Sequence, residues 1–219
     1  MKHRSKTPLQ DLPQNISKIK TADNPPLVPG TNVEGIFKKS LLAKVSTKTP
    51  LKDFRKFLEE RGYAFGFFAG KEAESCTLKN ILENRITNLW HLRYGTIEDL
   101  CTSLIVETPL GHIRTKLVPR SATGPDLKKV FIGSHHHYGD IEQAVLQIMH
   151  PPELRKTVTL KISGSKNAFN FHNLKQKIWA SGIRPLTMLA EKTNLVIELE
   201  GLKDIVLAEE KILKKLRML

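Results

Sequence analysis

Cysteine is almost missing from this sequence: Cys76 and Cys101 are the two among 219 residues. Two thiols build no disulfide framework and are too few for a cysteine-rich zinc site, so a reducing setting, cytoplasm or mitochondrial matrix, is expected rather than secretion. No apolar run approaches the roughly 20 residues that span a bilayer, which excludes a helical membrane protein. There is no P-loop, no dinucleotide fingerprint and no Gly-X-Ser-X-Gly elbow, so the usual NTPase, Rossmann and serine-hydrolase readings fall away. Zinc-finger spacing, aromatic RNA-binding signatures and basic zippers are absent as well. Acidic residues are in short supply. Thirty-five Lys and Arg face 22 Asp and Glu, for a net charge of +13. That excess favours anionic neighbours, RNA among them, although the lysines are spread along the chain rather than gathered in one block.

Residues 1–31 read as a basic, flexible tail. They hold five of the 12 prolines (Pro8, Pro13, Pro25, Pro26, Pro29) and too little apolar material to fold alone. Lys2, Arg4 and Lys6 resemble the start of an organellar transit segment, but the prolines oppose an amphipathic helix, and Arg217-Met218-Leu219 is not the Ser-Lys-Leu peroxisomal address. Leu41 to Thr47 alternates as a strand. Thr49-Pro50 then predicts a helix start, with the Thr49 hydroxyl as cap and Pro50 at the first helical position. Leu51, Phe54, Phe57 and Leu58 share one face of that helix, and Gly62 ends it. Cys101–Glu107 and His112–Leu117 predict a hairpin about Pro109-Leu110-Gly111, and Pro125–Phe131 a short helix. Ile141–Met149 suits strand or helix by periodicity alone.

Pro151-Pro152 marks a boundary. Beyond it, strand 157–162, helix 168–180, strand 183–190, strand 195–200 and helix 203–216 predict a βαββα unit, a small antiparallel sheet with helices on one face. The predicted organisation is therefore a tail (1–31), a first folded region (32–150) and a second (151–219).

Three clusters carry a resemblance. They are Arg93-Tyr94-Gly95-Thr96-Ile97-Glu98-Asp99, Val106-Glu107-Thr108-Pro109-Leu110-Gly111, and Pro119-Arg120-Ser121-Ala122-Thr123-Gly124-Pro125-Asp126 leading to Ile132-Gly133-Ser134. In that order and spacing the chain resembles the flavin domain of FAD-linked oxidases of the p-cresol methylhydroxylase and vanillyl-alcohol oxidase type. The resemblance implies an α+β fold: a second flavin subdomain, with a mixed or antiparallel sheet and helices, then a partial, ferredoxin-like cap. It also implies that Ile141–Met149 is a strand and that FAD is the cofactor.

The residues of the cofactor site depart from that family. Its glycine-rich pyrophosphate loop has no counterpart, since Pro29-Gly30-Thr31-Asn32 offers a single glycine on the tail. A glycine pair after Thr77 is replaced by Lys79-Asn80. The family's Thr-Arg-Ala-Ser turn becomes Asn84-Arg85-Ile86-Thr87, and Gly-Ser-Glu-Gly-Thr-Leu-Gly becomes Gly133-Ser134-His135-His136-His137-Tyr138-Gly139. The resemblance leaves Thr77, Arg85, Thr87, Ser134 and Gly139 as candidate cofactor contacts, with imidazole and lysine where backbone should meet flavin. No catalytic residue is expected, and Glu98 and Asp99 read as structural. Of the three histidines, His135 and His137 would converge on an extended piece, with His112, His150 or a carboxylate needed as a further ligand, so no metal is expected. The expected function is a family member without autonomous flavin catalysis, acting as a subunit or interaction module that docks a protein partner or larger assembly. The alternatives are one half of a split flavoenzyme and a basic, RNA-associated subunit.

Overall fold

The structure is a computed structural model that describes residues 33–117, 125–161, 167–191 and 194–216. The tail 1–31 and most of the Pro119–Asp126 cluster lie outside the described residues. Two antiparallel sheets organise the rest. The first runs β1-β2-β5-β3-β4, built from Val33–Phe37 (β1), Leu42–Ser46 (β2), Cys101–Thr108 (β3), Gly111–Arg114 (β4) and Asp140–Gln147 (β5). The segment left open between strand and helix is strand β5. It sits between β2 and β3, pairing Val45 with Ala144 and Leu104 with Ala144. That central position explains its unbroken apolar stretch Ala144-Val145-Leu146, which looks like neither a surface strand nor a clean helix. Strand β1 was not expected. Gly35 interrupts its alternation, and the pairing with β2 shifts register between Val33 and Gly35.

Helix α1 (Leu51–Glu59) buries Leu51, Phe54, Phe57 and Leu58 as its face demands. Each such side chain contributes about 1.5–3 kcal/mol by leaving water. Its start differs from expectation. Pro50 is itself the extended N-cap residue, no side chain caps the helix, and the buried Thr49 hydroxyl makes no hydrogen bond. Pro50 takes the N-cap place expected of Thr49, so the Thr49 hydroxyl stands one residue before the position from which a side chain caps the first turn. Four short helices follow: α2 (Leu78–Glu83), α3 (His91–Tyr94), α4 (Ile97–Leu100) and α5 (Lys128–Phe131). Thr96 and Asp99 form a reciprocal capping box that starts α4, which fixes Asp99 as structural.

One amide ties these short pieces together. Asn88 is buried, and its Oδ1 accepts from the N–H of Phe68 (2.9 Å) and Trp90 (3.1 Å). Its Nδ2 donates to the carbonyls of Gly66 (2.9 Å) and Gly95 (2.8 Å). All of its donor and acceptor capacity is used, as burial requires.

The second sheet, β6-β8-β7, follows Pro151-Pro152. Leu154–Lys161 (β6), Asn167–Ala180 (α6), Thr187–Glu191 (β7), Asn194–Gly201 (β8) and Lys203–Leu216 (α7) give the expected βαββα order. Its separate core joins Val158, Leu160, Ile178, Ile197, Val206 and Leu213. Among the described residues no helix is long and apolar enough to cross a membrane.

The sheets meet through polar groups. The Tyr94 hydroxyl donates to buried Glu200, Arg155 clamps the other Glu200 oxygen at 2.6 and 2.9 Å, and Arg93 donates to the Arg184 carbonyl at 2.7 Å. Burial first, and then the neighbouring Glu200 carboxylate, push the Tyr94 phenol up to about 12. Because this lies above the ordinary value of 10.0, its contribution is fully present below pH 10 and lost as pH rises toward about 12. An absorbance titration of the three tyrosines should therefore show one late ionisation that Tyr94→Phe removes. The same variant should lower the unfolding free energy by about 1–2 kcal/mol.

Candidate functional site

The segments that hold the candidate contacts, helix α2 with its exit and loop 133–139, are stitched to one another. Thr77 caps α2 by accepting from the Asn80 N–H at 3.2 Å, and Leu78, Ile81 and Leu82 bury the helix in the first core. The chain leaves α2 through Arg85, whose φ is +49. Loop 133–139 then docks on this exit. Gly133 N–H donates to Leu82 O at 3.0 Å, and His135 N–H to Glu83 O at 3.2 Å. The loop turns tightly, with positive φ at Gly133, His135, His136 and Gly139.

Both outer glycines are demanded by this packing. A Cβ on Gly133 would lie 3.2 Å from the Arg85 side chain, and one on Gly139 would lie 2.5 Å from the Glu107 carbonyl. Their retention follows from backbone geometry and needs no cofactor. His136 stands at φ +67, a left-handed conformation that costs a non-glycine residue about 1–2 kcal/mol.

What faces His136 offsets that cost. Glu83, the last residue of α2, is 0% exposed. Its Oε1 accepts from the Ile141 N–H at 3.3 Å, while Oε2 makes no hydrogen bond. His136 Nδ1 lies 3.0 Å from Glu83 Oε2 and 3.0 Å from Asp140 Oδ1. Lys79 Nζ sits 3.0 Å from Asp140 Oδ1 and 3.9 Å from Glu83 Oε1. Burial raises the Glu83 carboxyl above the ordinary carboxylate range despite the Ile141 N–H, Lys79 and His136 nearby. Hydrogen bonds from Lys79 and His136 hold Asp140 below it.

The five candidate cofactor contacts occupy different settings. The Thr77 hydroxyl is spent on the helix cap, and Arg85 pairs with Glu98 at 2.7 Å while remaining largely exposed. Thr87 is exposed. Ser134 is buried with its Oγ unbonded, and Gly139 packs against β3. Arg85 and Gly133 come together, whereas Thr77 lies at the opposite end of α2. The extended geometry assumed for the histidines is incorrect. The tight turn sends His135 Nδ1 to Asn84 Oδ1 at 3.0 Å and His136 to the carboxylates. His112 pairs with Glu142 at 3.4 Å, and His150 packs on the Tyr63 ring. The carboxylates were not singled out from sequence. The available signals were the four-residue spacings Lys79–Glu83 and His136–Asp140.

A cleft of about 390 Å³ opens between the sheets, lined among others by Arg55, Trp90, Tyr94, Met149, Arg155 and Glu200. The guanidinium carbons of Arg55 and Arg155 lie 5.5 and 4.8 Å from the Trp90 ring centre. Arg55 is paired with Glu74 at 3.2 Å and Arg155 with Glu200 at 2.6 Å, so the walls are charge-balanced. Burial also lowers the Arg55 pKa from its ordinary value.

Comparison with known proteins places these observations. No protein-family model matches the chain. It is 30% identical over 135 residues to alkyldihydroxyacetonephosphate synthase of Trypanosoma brucei brucei, covering 60% of this chain and 21% of that protein. The Caenorhabditis elegans alkyldihydroxyacetonephosphate synthase is 29% identical over 110 residues, 48% of this chain and 18% of its own length. The FAD-linked oxidoreductase YgcU of Escherichia coli K12 is 26% identical over 149 residues, 67% of this chain and 30% of that protein. The chain thus spans between about a fifth and a third of these relatives. A solved alkyldihydroxyacetonephosphate synthase superposes with a TM-score of 0.71 at 18% identity, over 85% of this chain and 39% of that one. The α+β fold is shared.

The glycine geometry is testable. Gly139→Ala should cost more than about 2 kcal/mol of unfolding free energy, from strain plus the carbonyl clash. Gly62→Ala, at φ +74 with nothing within 4 Å of the added carbon, should cost about 1 kcal/mol. Urea unfolding midpoints of the two variants check the difference.

Proposed function

With this chain a partial relative of the FAD-linked oxidases, we propose that it serves as a non-catalytic member of that family, a subunit or interaction module that does not run flavin chemistry by itself. The division at Pro151-Pro152 into a flavin-subdomain-like unit and a cap-like unit is part of this reading. FAD catalysis requires the reactive ring to be held against substrate by protein groups that fit it. The observation that carries the proposal is the occupied floor. His136 stands where the family has a glycine for close approach, Lys79 stands at the glycine pair, and both are engaged by Glu83 and Asp140.

The electrostatics point the same way. A dinucleotide brings a pyrophosphate, and the Lys79 ammonium that would meet it here is already paired with Asp140 at 3.0 Å. The retained outer glycines support kinship without supporting binding, since loop packing alone accounts for them. Thr77, Arg85, Thr87, Ser134 and Gly139 remain the positions through which a flavin would be held. The rival reading is a split flavoenzyme, in which this chain supplies one wall of an FAD site.

Purified full-length protein titrated with FAD tests the proposal. Flavin fluorescence and visible absorbance should show no saturable complex. A stoichiometric yellow protein, with its absorbance lost on substituting Ser134 or Arg85, would overturn the proposal in favour of the flavoenzyme.

A further inference from the structure

We infer that Glu83, His136 and Asp140 form a binding site for one divalent transition-metal ion of the zinc class, with Lys79 as the built-in competitor. Among the described residues these three side chains are the group whose ligand atoms, one imidazole nitrogen and two carboxylate oxygens, all lie within 4.8 Å of one another. A tetrahedral zinc ion with bonds near 2.0–2.2 Å spaces its ligands about 3.3–3.5 Å apart. The Nδ1-to-oxygen separations of 3.0 Å at both carboxylates need only slight opening to admit it. Three protein ligands leave the fourth position to water.

The ligands stand on anchored backbone. Glu83 closes α2 and is steadied by the Ile141 N–H, the kind of outer hydrogen bond that orients a metal-binding carboxylate. Asp140 opens β5. His136 sits in a turn whose preceding residue, His135, donates its N–H to the Glu83 carbonyl.

An independent feature points to a ligand. Glu83 Oε2 is fully buried, makes no hydrogen bond, and is aimed at the His136 nitrogen at 3.0 Å. Buried carboxylate oxygens are normally hydrogen-bonded, and a cation between Oε2 and Nδ1 would give Oε2 a direct bond in place of its 3.0 Å contact with the imidazole. The imidazole selects the ion class. Calcium and magnesium favour oxygen-only shells of six or more ligands, whereas a mixed nitrogen–oxygen set of three suits zinc.

Lys79 sets the affinity. Its ammonium holds the same carboxylates, 3.0 Å from Asp140 Oδ1 and 3.9 Å from Glu83 Oε1. An incoming dication must displace that charge, so Lys79 weakens binding. The site does not rest on the loss of flavin, and a zinc titration reads the same whether or not FAD binds.

The test uses the full chain, freed of metal with a chelator and titrated with Zn²⁺ by calorimetry and with Co²⁺ by visible absorption. One equivalent should bind, with the intense visible bands of four-coordinate cobalt. His136→Ala should weaken zinc binding by more than about tenfold, and Lys79→Met should tighten it. Both side chains are partly exposed, so these variants should keep the wild-type fold, which a thermal melt verifies. Glu83→Gln, at a buried position, is read only alongside them. Absence of a one-to-one complex overturns the inference. So does unchanged affinity in His136→Ala, which would assign binding to other histidines, or unchanged or weaker affinity in Lys79→Met.

Discussion

A carboxylate fully withdrawn from water governs the middle of this molecule. Isolated in the interior, an ionised Glu83 would carry a penalty of several kcal/mol, and it is tolerable only because partners reach it from separate parts of the chain. Lys79 comes from the same helix one turn earlier, Ile141 from the central strand, and His136 from the loop that follows α5. The Glu83 peptide also takes the His135 N–H. One residue therefore fixes the mutual position of α2, β5 and the histidine turn.

This constraint reframes what the family resemblance carries. The glycines at 133 and 139 are part of that resemblance, and their geometry gives each a structural reason. One lies under the Arg85 side chain, and the other backs onto the Glu107 carbonyl. Both positions answer to protein packing. The inner position, His136, is left-handed as well, but its side chain points to the Glu83 and Asp140 carboxylates rather than into packed backbone.

Much of the architecture was legible from residue pattern. Helix α7 matches its predicted span, and α1 buries the four side chains its periodicity selects, because a 3.6-residue apolar repeat has few other outlets. Strand β1 was hidden by Gly35, which breaks the alternation where the ladder shifts. The helices α2, α3 and α4 are four to six residues long, too short for any period to emerge. At the site, the sequence drew attention to Lys79 and His136 but did not reveal the carboxylates they contact. The failure came from treating 135–137 as extended, whereas two consecutive left-handed residues redirect the rings. Glu83 carried no local signal of its burial, since that depends on a strand more than fifty residues later.

The Asn88 amide has a wider implication. Its four bonds close the crossing of three loop segments using peptide groups alone, with no ligand in the circuit. A junction that is self-contained in this way leaves the neighbouring surfaces free to drift. A substitution on those surfaces therefore need not disturb the crossing that Asn88 holds.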